Sequence, residues 1–143
     1  MDSTKLVCTE CGSINRIPTA RLKDEPKCGS CKQPIFIQNV IELTEANAAR
    51  TLQNTDIPVL VDCWAPWCGP CRSFAPIYES VADEFMGTVR FAKLNTESNQ
   101  QLATRWNIRS IPTLILFKSA KETARMSGAL PESQLRDWIS AQL

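Results

Sequence analysis

The 143-residue sequence predicts an α/β domain, with a central mixed sheet and helices on both faces, preceded by a small four-cysteine module. Two observations predict the α/β domain: after residue 34, short apolar runs alternate with amphipathic stretches of helical period, and one run is apolar almost throughout. A third observation sets apart the first 34 residues, which hold four of the seven cysteines and little periodic apolar sequence. We therefore expect a module over residues 1–34 and a domain over residues 35–143.

The domain is expected to begin with a strand over residues 39–43 and a helix from Thr44, its predicted N-cap, to about Leu52. Residues 58–64 are nearly all apolar, which is typical of a parallel strand buried on both faces of its sheet. A long helix follows over residues 68–85.

The second half of the domain continues the alternation. A strand over residues 89–94 and a short helix over residues 100–106 precede a hairpin of strands at residues 113–117 and 123–126. Pro131 then opens a final amphipathic helix, because proline is well tolerated where a helix begins. The predicted order is β-α-β-α-β-α-β-β-α.

Composition and charge exclude several classes of function. The 16 basic residues nearly cancel the 15 acidic ones, and the net charge of +1 argues against a surface dedicated to nucleic acid or to an anionic membrane. The N-terminus has no apolar stretch of the kind that directs secretion, and the longest apolar run is too short to span a bilayer. A reducing cytoplasmic environment is therefore expected, in which clustered cysteines indicate metal binding or catalysis rather than structural disulfides.

A Cys-Gly-Pro-Cys tetrad at residues 68–71 lies where the buried strand ends and the long helix begins. The N–H groups of the first helical turn stabilise negative charge, so the pKa of the Cys68 thiol is expected to be lowered. Cys71, one turn further along, is expected to be more buried and less acidic, which suits a resolving thiol. Such a tetrad is also compatible with half of a zinc site, but Trp67, Pro70 and the preceding strand favour a redox pair.

Residues 67–71 read Trp-Cys-Gly-Pro-Cys, the active-site signature of the thioredoxins, and residues 39–143 resemble a thioredoxin domain. The resemblance implies the thioredoxin fold, a central mixed five-stranded sheet flanked by helices. It also implies a protein thiol:disulfide reductase that acts on disulfide-containing client proteins and is re-reduced by NADPH-dependent thioredoxin reductase. We expect a monomer with no nucleic-acid or membrane partner.

The resemblance assigns roles to two charged residues. Asp62, a carboxylate inside an apolar strand, matches the buried aspartate that takes a proton from the resolving cysteine, here Cys71. Lys93 matches the lysine that pairs with that aspartate. The alternatives are a structural aspartate at a strand end and a solvated lysine. Cys63, beside Asp62, is interpreted as a buried packing residue, with a third reactive thiol as the alternative.

A substrate surface is also implied. The family carries a cis proline at the position of Pro112, and this proline leaves the backbone of Ile111 free to bind an extended client segment by strand-like hydrogen bonds. The implied surface is shallow and apolar, and it comprises Trp67, Gly69, Pro70, Ile111, Pro112, Gly128 and Ala129.

The N-terminal module contains two Cys-x-x-Cys pairs separated by 16 residues, a spacing typical of one zinc ion held by four thiolates. The four cysteines are Cys8, Cys11, Cys28 and Cys31. The chain has no histidine, so the site would be a closed tetrahedral site of four cysteines in a zinc ribbon-like module, with one structural zinc ion. Gly12 and Gly29 are expected to relieve the tight backbone of the two turns.

Several alternatives remain open at this point. The four module cysteines are also compatible with disulfides, additional redox pairs or a rubredoxin-type iron centre. The whole chain could instead be a zinc-dependent binding or holdase module, because a fold alone does not fix an activity. An oxidase or isomerase would keep the same fold, although the proline of the tetrad favours reduction by analogy with the family.

A zinc module joined to this tetrad resembles the zinc-containing thioredoxins of bacteria over essentially the full chain.

Overall fold

The computed structural model describes residues 2–143 and contains two sheets. The smaller sheet lies in the N-terminal module and pairs β1 (Ser3–Val7) antiparallel with β2 (Ile14–Pro18). This hairpin was not predicted from the sequence. A 3-10 turn over Thr19–Arg21 follows it. The buried residues of the module form one small core cluster: Leu6, Cys8, Ile17, Leu22, Cys28 and Ile35.

The larger sheet is a mixed five-stranded sheet, as predicted. Its strands are β3 (Val40–Leu43), β4 (Val59–Trp64), β5 (Arg90–Asn95), β6 (Thr113–Lys118) and β7 (Lys121–Ser127). The strand order is β3-β5-β4-β6-β7, in which β3, β5 and β4 run parallel and β6 and β7 run antiparallel to their neighbours. Strand β4 is therefore central, which explains why its sequence is apolar on both faces.

Four helices cover the two faces of this sheet. They are α1 (Ala48–Gln53), α2 (Gly69–Glu84), α3 (Gln100–Arg105) and α4 (Glu132–Gln142). Helices α1 and α3 contribute Leu52 and Leu102 to the core on one face, whereas α2 and α4 contribute Phe74 and Leu135 to the core on the other. The predicted order of elements is confirmed for this domain. Over residues 2–143, no helix combines the length and the apolar character that crossing a membrane requires.

The predicted start of helix α1 is wrong by one turn. Its N-cap is Asn47 rather than Thr44. The two residues bond to each other instead: the Thr44 N–H donates to Asn47 Oδ1 at 2.7 Å, and the Asn47 N–H donates to Thr44 Oγ1 at 3.3 Å. These bonds close a turn ahead of the helix, because short polar side chains compete with the helical ladder for backbone donors.

Strands β6 and β7 are joined by a two-residue turn without glycine. Ser119 has φ 53° and Ala120 has φ 65°, so both residues adopt the left-handed conformation. A hairpin of this length favours positive φ at both central positions, which asparagine and glycine supply at the lowest cost. An alanine there is strained by its Cβ atom.

The module is attached to the sheet domain by polar contacts. The Arg50 side chain donates two hydrogen bonds to the Gly12 carbonyl oxygen, from Nε at 3.1 Å and from a terminal nitrogen at 2.7 Å. Lys5 and Asp56 exchange two more: the Asp56 N–H donates to the Lys5 carbonyl oxygen at 2.9 Å, and the Lys5 N–H donates to Asp56 Oδ2 at 2.7 Å.

Candidate active site and metal centre

The Cys-Gly-Pro-Cys tetrad begins helix α2. Cys68 is the N-cap, Pro70 lies in the first turn, and a disulfide joins Cys68 to Cys71 with their Cα atoms 5.3 Å apart. The Cys71 N–H donates to Cys68 Sγ at 3.2 Å, so a backbone donor and the positive end of a 16-residue helix both face this sulfur. Both cysteines are buried, with 5% of Cys68 and 2% of Cys71 exposed.

Loops that were predicted to form the substrate surface lie beside the disulfide. Trp67 is 67% exposed, the largest exposure among the large apolar residues at positions 2–143. The Ile111–Pro112 peptide bond is cis, as the resemblance implied, and Cys68 Sγ lies 4.0 Å from the Ile111 carbonyl oxygen. Pro112 itself is buried, so it supports this surface from below. Its carbonyl oxygen accepts the Gly128 N–H at 2.8 Å.

The remaining members of the predicted substrate surface differ in exposure. Gly128 and Ala129 are exposed and follow strand β7, and Gly128 has φ 100°, a conformation suited to glycine. Pro70 is exposed and Gly69 half-buried at the start of α2. The bond from Gly128 to Pro112 and the contact of Ile111 with the Cys68 sulfur bring the segment after β7 close to the tetrad.

Asp62 lies on β4 and is only 4% exposed, and its Oδ1 atom has no hydrogen-bond partner among the described residues. Burial raises the pKa of this carboxyl to about 7, against the lowering effect of the nearby Lys93 charge. Asp62 borders a cavity of about 190 Å³, called here the Asp62 cavity. The cavity is lined by Val40, Asp62, Trp64, Cys71, Arg72, Ala75, Tyr78, Glu79 and Lys93. The structure thus brings Asp62, Lys93 and Cys71 to one cavity.

Lys93 is the register partner of Asp62 on the neighbouring strand β5. Its ammonium nitrogen lies 5.7 Å from the centre of the Trp64 ring, within cation–π range. Over residues 2–143 the two side chains form no salt bridge within 4 Å. Lys93 therefore acts on Asp62 through its charge rather than through a direct hydrogen bond.

Cys63 is fully buried on the other face of β4, in the core cluster that contains Leu52 and Leu102. Burial and the nearby Asp62 charge raise the pKa of its thiol to about 12. A buried thiol with a raised pKa carries little thiolate near neutral pH, which favours the interpretation of Cys63 as a packing residue.

The four module cysteines form one cluster, in which all the sulfur atoms lie within 4.8 Å of one another. The Cys8 and Cys31 sulfurs are 3.7 Å apart, and those of Cys11 and Cys28 are 3.6 Å apart. A tetrahedral zinc ion with bonds of about 2.3 Å places its sulfur ligands about 3.8 Å apart, so this cluster fits such an ion.

The polar surroundings of the cluster also fit thiolate ligands. The Glu10 and Ser30 N–H groups donate to the sulfurs of Cys8 and Cys28, each at 3.4 Å. Backbone donation from Cys31, the Asn15 amide and the Ser30 N–H lower the pKa of the Cys28 thiol to about 5. The Gln33 N–H lowers the pKa of the Cys31 thiol, but burial and the three neighbouring sulfurs outweigh this effect and raise that pKa to about 12. A bound cation is what would hold all four sulfurs as thiolates together.

Each Cys-x-x-Cys pair of the module is followed by a residue with positive φ, Gly12 at 77° and Lys32 at 68°. The expectation for Gly12 is therefore correct, but the expectation for Gly29 is wrong: the second turn places its left-handed residue at Lys32. Gly29 instead donates its N–H to Asn15 Oδ1 at 2.9 Å, and a Cβ atom at that position would meet the same oxygen at 3.7 Å.

Comparison with known proteins is consistent with both sites. The thioredoxin family matches residues 39–141, and the family described as the N-terminal part of thioredoxin 2 matches residues 7–33. The chain belongs to the thioredoxin family. The matched residues include the disulfide of α2 and all four module cysteines, so this thioredoxin is a thiol:disulfide oxidoreductase that reduces protein disulfides, with a candidate metal site in front.

Individual relatives extend the match along the chain. Thioredoxin C-3 of Corynebacterium nephridii is 45% identical over 138 residues, which are 96% of this chain and 94% of the relative. Thioredoxin of Haemophilus influenzae is 40% identical over 107 residues, 75% of this chain and 100% of the relative. Thioredoxin of Porphyra purpurea is 41% identical over 102 residues, 71% of this chain and 95% of the relative.

Two residues that shape these sites were not predicted from the sequence. The hydroxyl oxygen of Tyr78 lies 2.8 Å from the carbonyl oxygens of Leu60 and Ala92, so it ties helix α2 to the two central strands beside the Asp62 cavity. The Asn15 amide donates to Cys28 Sγ at 3.4 Å. Tyr78 is the chain's one tyrosine and lies on the apolar stripe of a helix, where a hydroxyl needs a partner, and that signal could have found it.

Proposed function

We propose that this chain is a cytoplasmic thioredoxin in which Cys68 is the nucleophile, Cys71 the resolving thiol and Asp62 the proton acceptor, with NADPH-dependent thioredoxin reductase as its electron donor. One observation carries this assignment: the sulfur of Cys68 caps helix α2, accepts the Cys71 N–H at 3.2 Å, and belongs to the residue that directly follows the exposed Trp67. A monomer without nucleic-acid or membrane partners is part of the proposal.

In the reduced protein the Cys68 thiolate attacks one sulfur of a client disulfide. A bond forms between Cys68 and that sulfur, the client S–S bond breaks, and the second client sulfur leaves as a thiolate that takes a proton from water. The first-turn N–H groups and the helix dipole favour the thiolate form of Cys68, which supplies the nucleophile near neutral pH.

Resolution of this mixed disulfide needs a second thiolate. Cys71 loses its proton to the Asp62 carboxylate across the cavity that both residues line, and its thiolate attacks the Cys68 sulfur. The Cys68–Cys71 bond forms, the mixed disulfide breaks, and the remaining client sulfur leaves as a thiolate that takes a proton from the protonated Asp62 or from water, so the client carries two thiols. A carboxyl with a pKa of about 7 suits this step, because it both accepts and releases a proton near neutral pH. Lys93 favours the ionised form of Asp62 through its charge.

Client segments are proposed to bind on the surface formed by Trp67, Gly69, Pro70, Ile111, Gly128 and Ala129, with Pro112 beneath it. The Ile111 carbonyl oxygen near the Cys68 sulfur would accept a hydrogen bond from an extended client backbone. Few polar groups line this surface, which favours broad rather than narrow client selection.

We propose zinc as the metal of the N-terminal site, held by Cys8, Cys11, Cys28 and Cys31. When bound, a zinc ion held by four cysteines supplies folding energy and leaves no open position for a reacting molecule. The module's own core cluster is too small to fold alone, which supports a structural role. We place the boundary between module and domain at residues 34 and 35, and the family matches over residues 7–33 and 39–141 support it.

Variants of the two cysteines test the assignment. In an assay that couples insulin reduction to NADPH oxidation through thioredoxin reductase, Cys68→Ser should abolish turnover. Cys71→Ser should instead accumulate a covalent adduct between Cys68 and the client, visible on a non-reducing gel. Cys63→Ala, the matched control, should keep wild-type turnover because that thiol is buried on the other face of the sheet. Turnover surviving Cys68→Ser would refute the proposed nucleophile.

Metal analysis tests the second site. Elemental analysis of the purified full-length chain should give about one zinc per chain. Substituting Cys11 and Cys31 by serine together should remove the metal, whereas the same change at Cys68 and Cys71 should leave it in place. Iron with the colour of a rubredoxin centre, or no metal with two module disulfides, would contradict the zinc assignment.

A further inference from the structure

Arg90, the first residue of β5, is the one basic residue that is buried within residues 2–143, with 4% of its surface exposed. Over the same residues it forms no salt bridge within 4 Å. A buried cation without a carboxylate partner is costly unless neutral acceptors surround it. Such a residue is expected to fix the position of a neighbouring chain segment, and its contacts identify that segment.

The hydrogen-bond and ring partners of the Arg90 guanidinium lie in the linker, defined here as residues 35–39, between the cysteine module and β3, and the Cys8 thiol of the module also acts on its charge. One terminal nitrogen donates to the Gln38 carbonyl oxygen at 2.9 Å, and the other donates to the Ile35 carbonyl oxygen at 3.4 Å. The Phe36 ring lies against the guanidinium, 5.3 Å from its carbon to the ring centre. The linker is therefore wrapped around one side chain of the sheet domain.

Both ends of the linker are fixed as well. The Ile35 side chain is fully buried in the core cluster of the cysteine module. At the other end, the Asn39 amide donates to the Glu79 carbonyl oxygen at 3.2 Å and to Asp83 Oδ1 at 3.1 Å, both on helix α2. The next residue in the chain, Val40, consequently has little freedom to move.

Val40 is an apolar wall of the Asp62 cavity, contributed by the edge strand β3. The titratable and charged groups that face Asp62 come from two other elements. They are Lys93 on β5 and Cys71, Arg72, Tyr78 and Glu79 on α2. On β4 itself, Cys63 points to the opposite face of the sheet. Val40 is thus the residue of β3 that shields the Asp62 carboxylate from water.

We infer that Arg90 is a positioning residue for Asp62: by fixing the linker, it holds Val40 against the cavity and keeps bulk water away from the carboxylate. The inference rests on the proposed role of Asp62 as proton acceptor. Loosening the linker would admit water to the cavity, and a better solvated carboxylate ionises at lower pH. It would then be a weaker base for the Cys71 proton at neutral pH.

The test is a titration of the Asp62 carboxyl carbon by NMR in the oxidised full-length protein, in which neither Cys68 nor Cys71 titrates. We expect Arg90→Gln, Asn39→Ala and Val40→Ala each to lower the Asp62 midpoint by about one pH unit, an about tenfold change in its ionisation constant. The acidic limb of the pH profile for client reduction should move in the same direction. Arg50→Gln is the matched control, because it cuts another bond to the module, at Gly12, and the Arg50 side chain makes no hydrogen bond to residues 35–40.

The outcomes separate the possibilities. A midpoint that moves in Val40→Ala but not in Arg90→Gln and Asn39→Ala would overturn the positioning role. An equal movement in Arg50→Gln would overturn it too, because the effect would then come from general loosening of the module. If Arg90→Gln does not fold, Asn39→Ala decides, since that side chain is half-buried and its loss leaves no buried charge. A pH profile unchanged by Asp62→Asn would instead refute the proposed function, while the NMR midpoints would still test the role of Arg90.

Discussion

Replacing Asp62 with asparagine should stabilise the folded protein, and the gain should depend on pH. The ordinary pKa of an aspartate is 3.8, and burial raises that of Asp62 to about 7. Between about pH 4 and pH 7 the native state therefore holds a proton that the unfolded chain has lost, so the free energy of unfolding falls as the pH rises through this window. Above about pH 7 the carboxyl is ionised in both states, so the free energy of unfolding falls no further.

The size of the effect follows from the separation of the two pKa values. About three pH units at about 1.4 kcal/mol each correspond to up to about 4 kcal/mol of destabilisation by the ionised carboxylate. Asp62→Asn removes this charge and keeps the shape of the side chain. Its free energy of unfolding should exceed that of the wild type by up to about 4 kcal/mol at pH 8 and differ little at pH 4.

Urea unfolding of the oxidised protein at both pH values measures this difference directly. Asp24→Asn is the matched control, because Asp24 is exposed in the cysteine module and reports any loss of stability that acid causes at the four-cysteine cluster. The reasoning would be refuted by an Asp62→Asn advantage that changes by less than about 1 kcal/mol between pH 4 and pH 8 after the control is subtracted.

Three further substitutions test other parts of the structure. Ala120→Gly should raise the free energy of unfolding by about 1 kcal/mol, because φ 65° strains a residue with a Cβ atom, whereas Ala129→Gly should not; equal effects in urea unfolding would contradict this. Tyr78→Phe should lower the free energy of unfolding by about 1–3 kcal/mol, because it removes the buried hydroxyl whose single proton the Leu60 and Ala92 carbonyl oxygens share; an unchanged unfolding midpoint would contradict that. Trp67→Ala should reduce kcat/KM for insulin about tenfold through KM without changing stability, and a loss confined to kcat would argue against a binding role.

The sheet domain was predictable because its signals are local. The apolar run that becomes β4 is central and buried on both faces, and the tetrad at its end marks the start of α2. The cysteine spacing of the module was equally informative, since it depends on the sequence alone. Resemblance to a family supplied the cis peptide before Pro112, because a proline at the start of a strand is by itself expected to be trans.

Features that depend on distant contacts were not predictable. The β1–β2 hairpin has a core completed by Ile35 from beyond the module boundary, so its own sequence shows little apolar periodicity. A basic residue at the start of a strand is expected to be exposed, and only the contacts of Arg90 with the linker reveal that it is buried. The left-handed conformation of Lys32 is similarly hidden, because lysine carries no preference for it.

The chain uses the Cys-x-x-Cys spacing three times, and the backbone one residue past each pair separates two chemistries. In every case the N–H of that residue donates to the carbonyl oxygen of the first cysteine, at 2.9 Å from Gly12, 3.0 Å from Lys32 and 3.1 Å from Arg72. Gly12 and Lys32 then have positive φ, which turns the chain back and lets two pairs share one centre. Arg72 instead continues helix α2, so Cys68 and Cys71 bond to each other at the positive end of the helix dipole. Since the Cys-x-x-Cys spacing is the same in all three pairs, the four-sulfur cluster and the disulfide differ in what the backbone does after the cysteines.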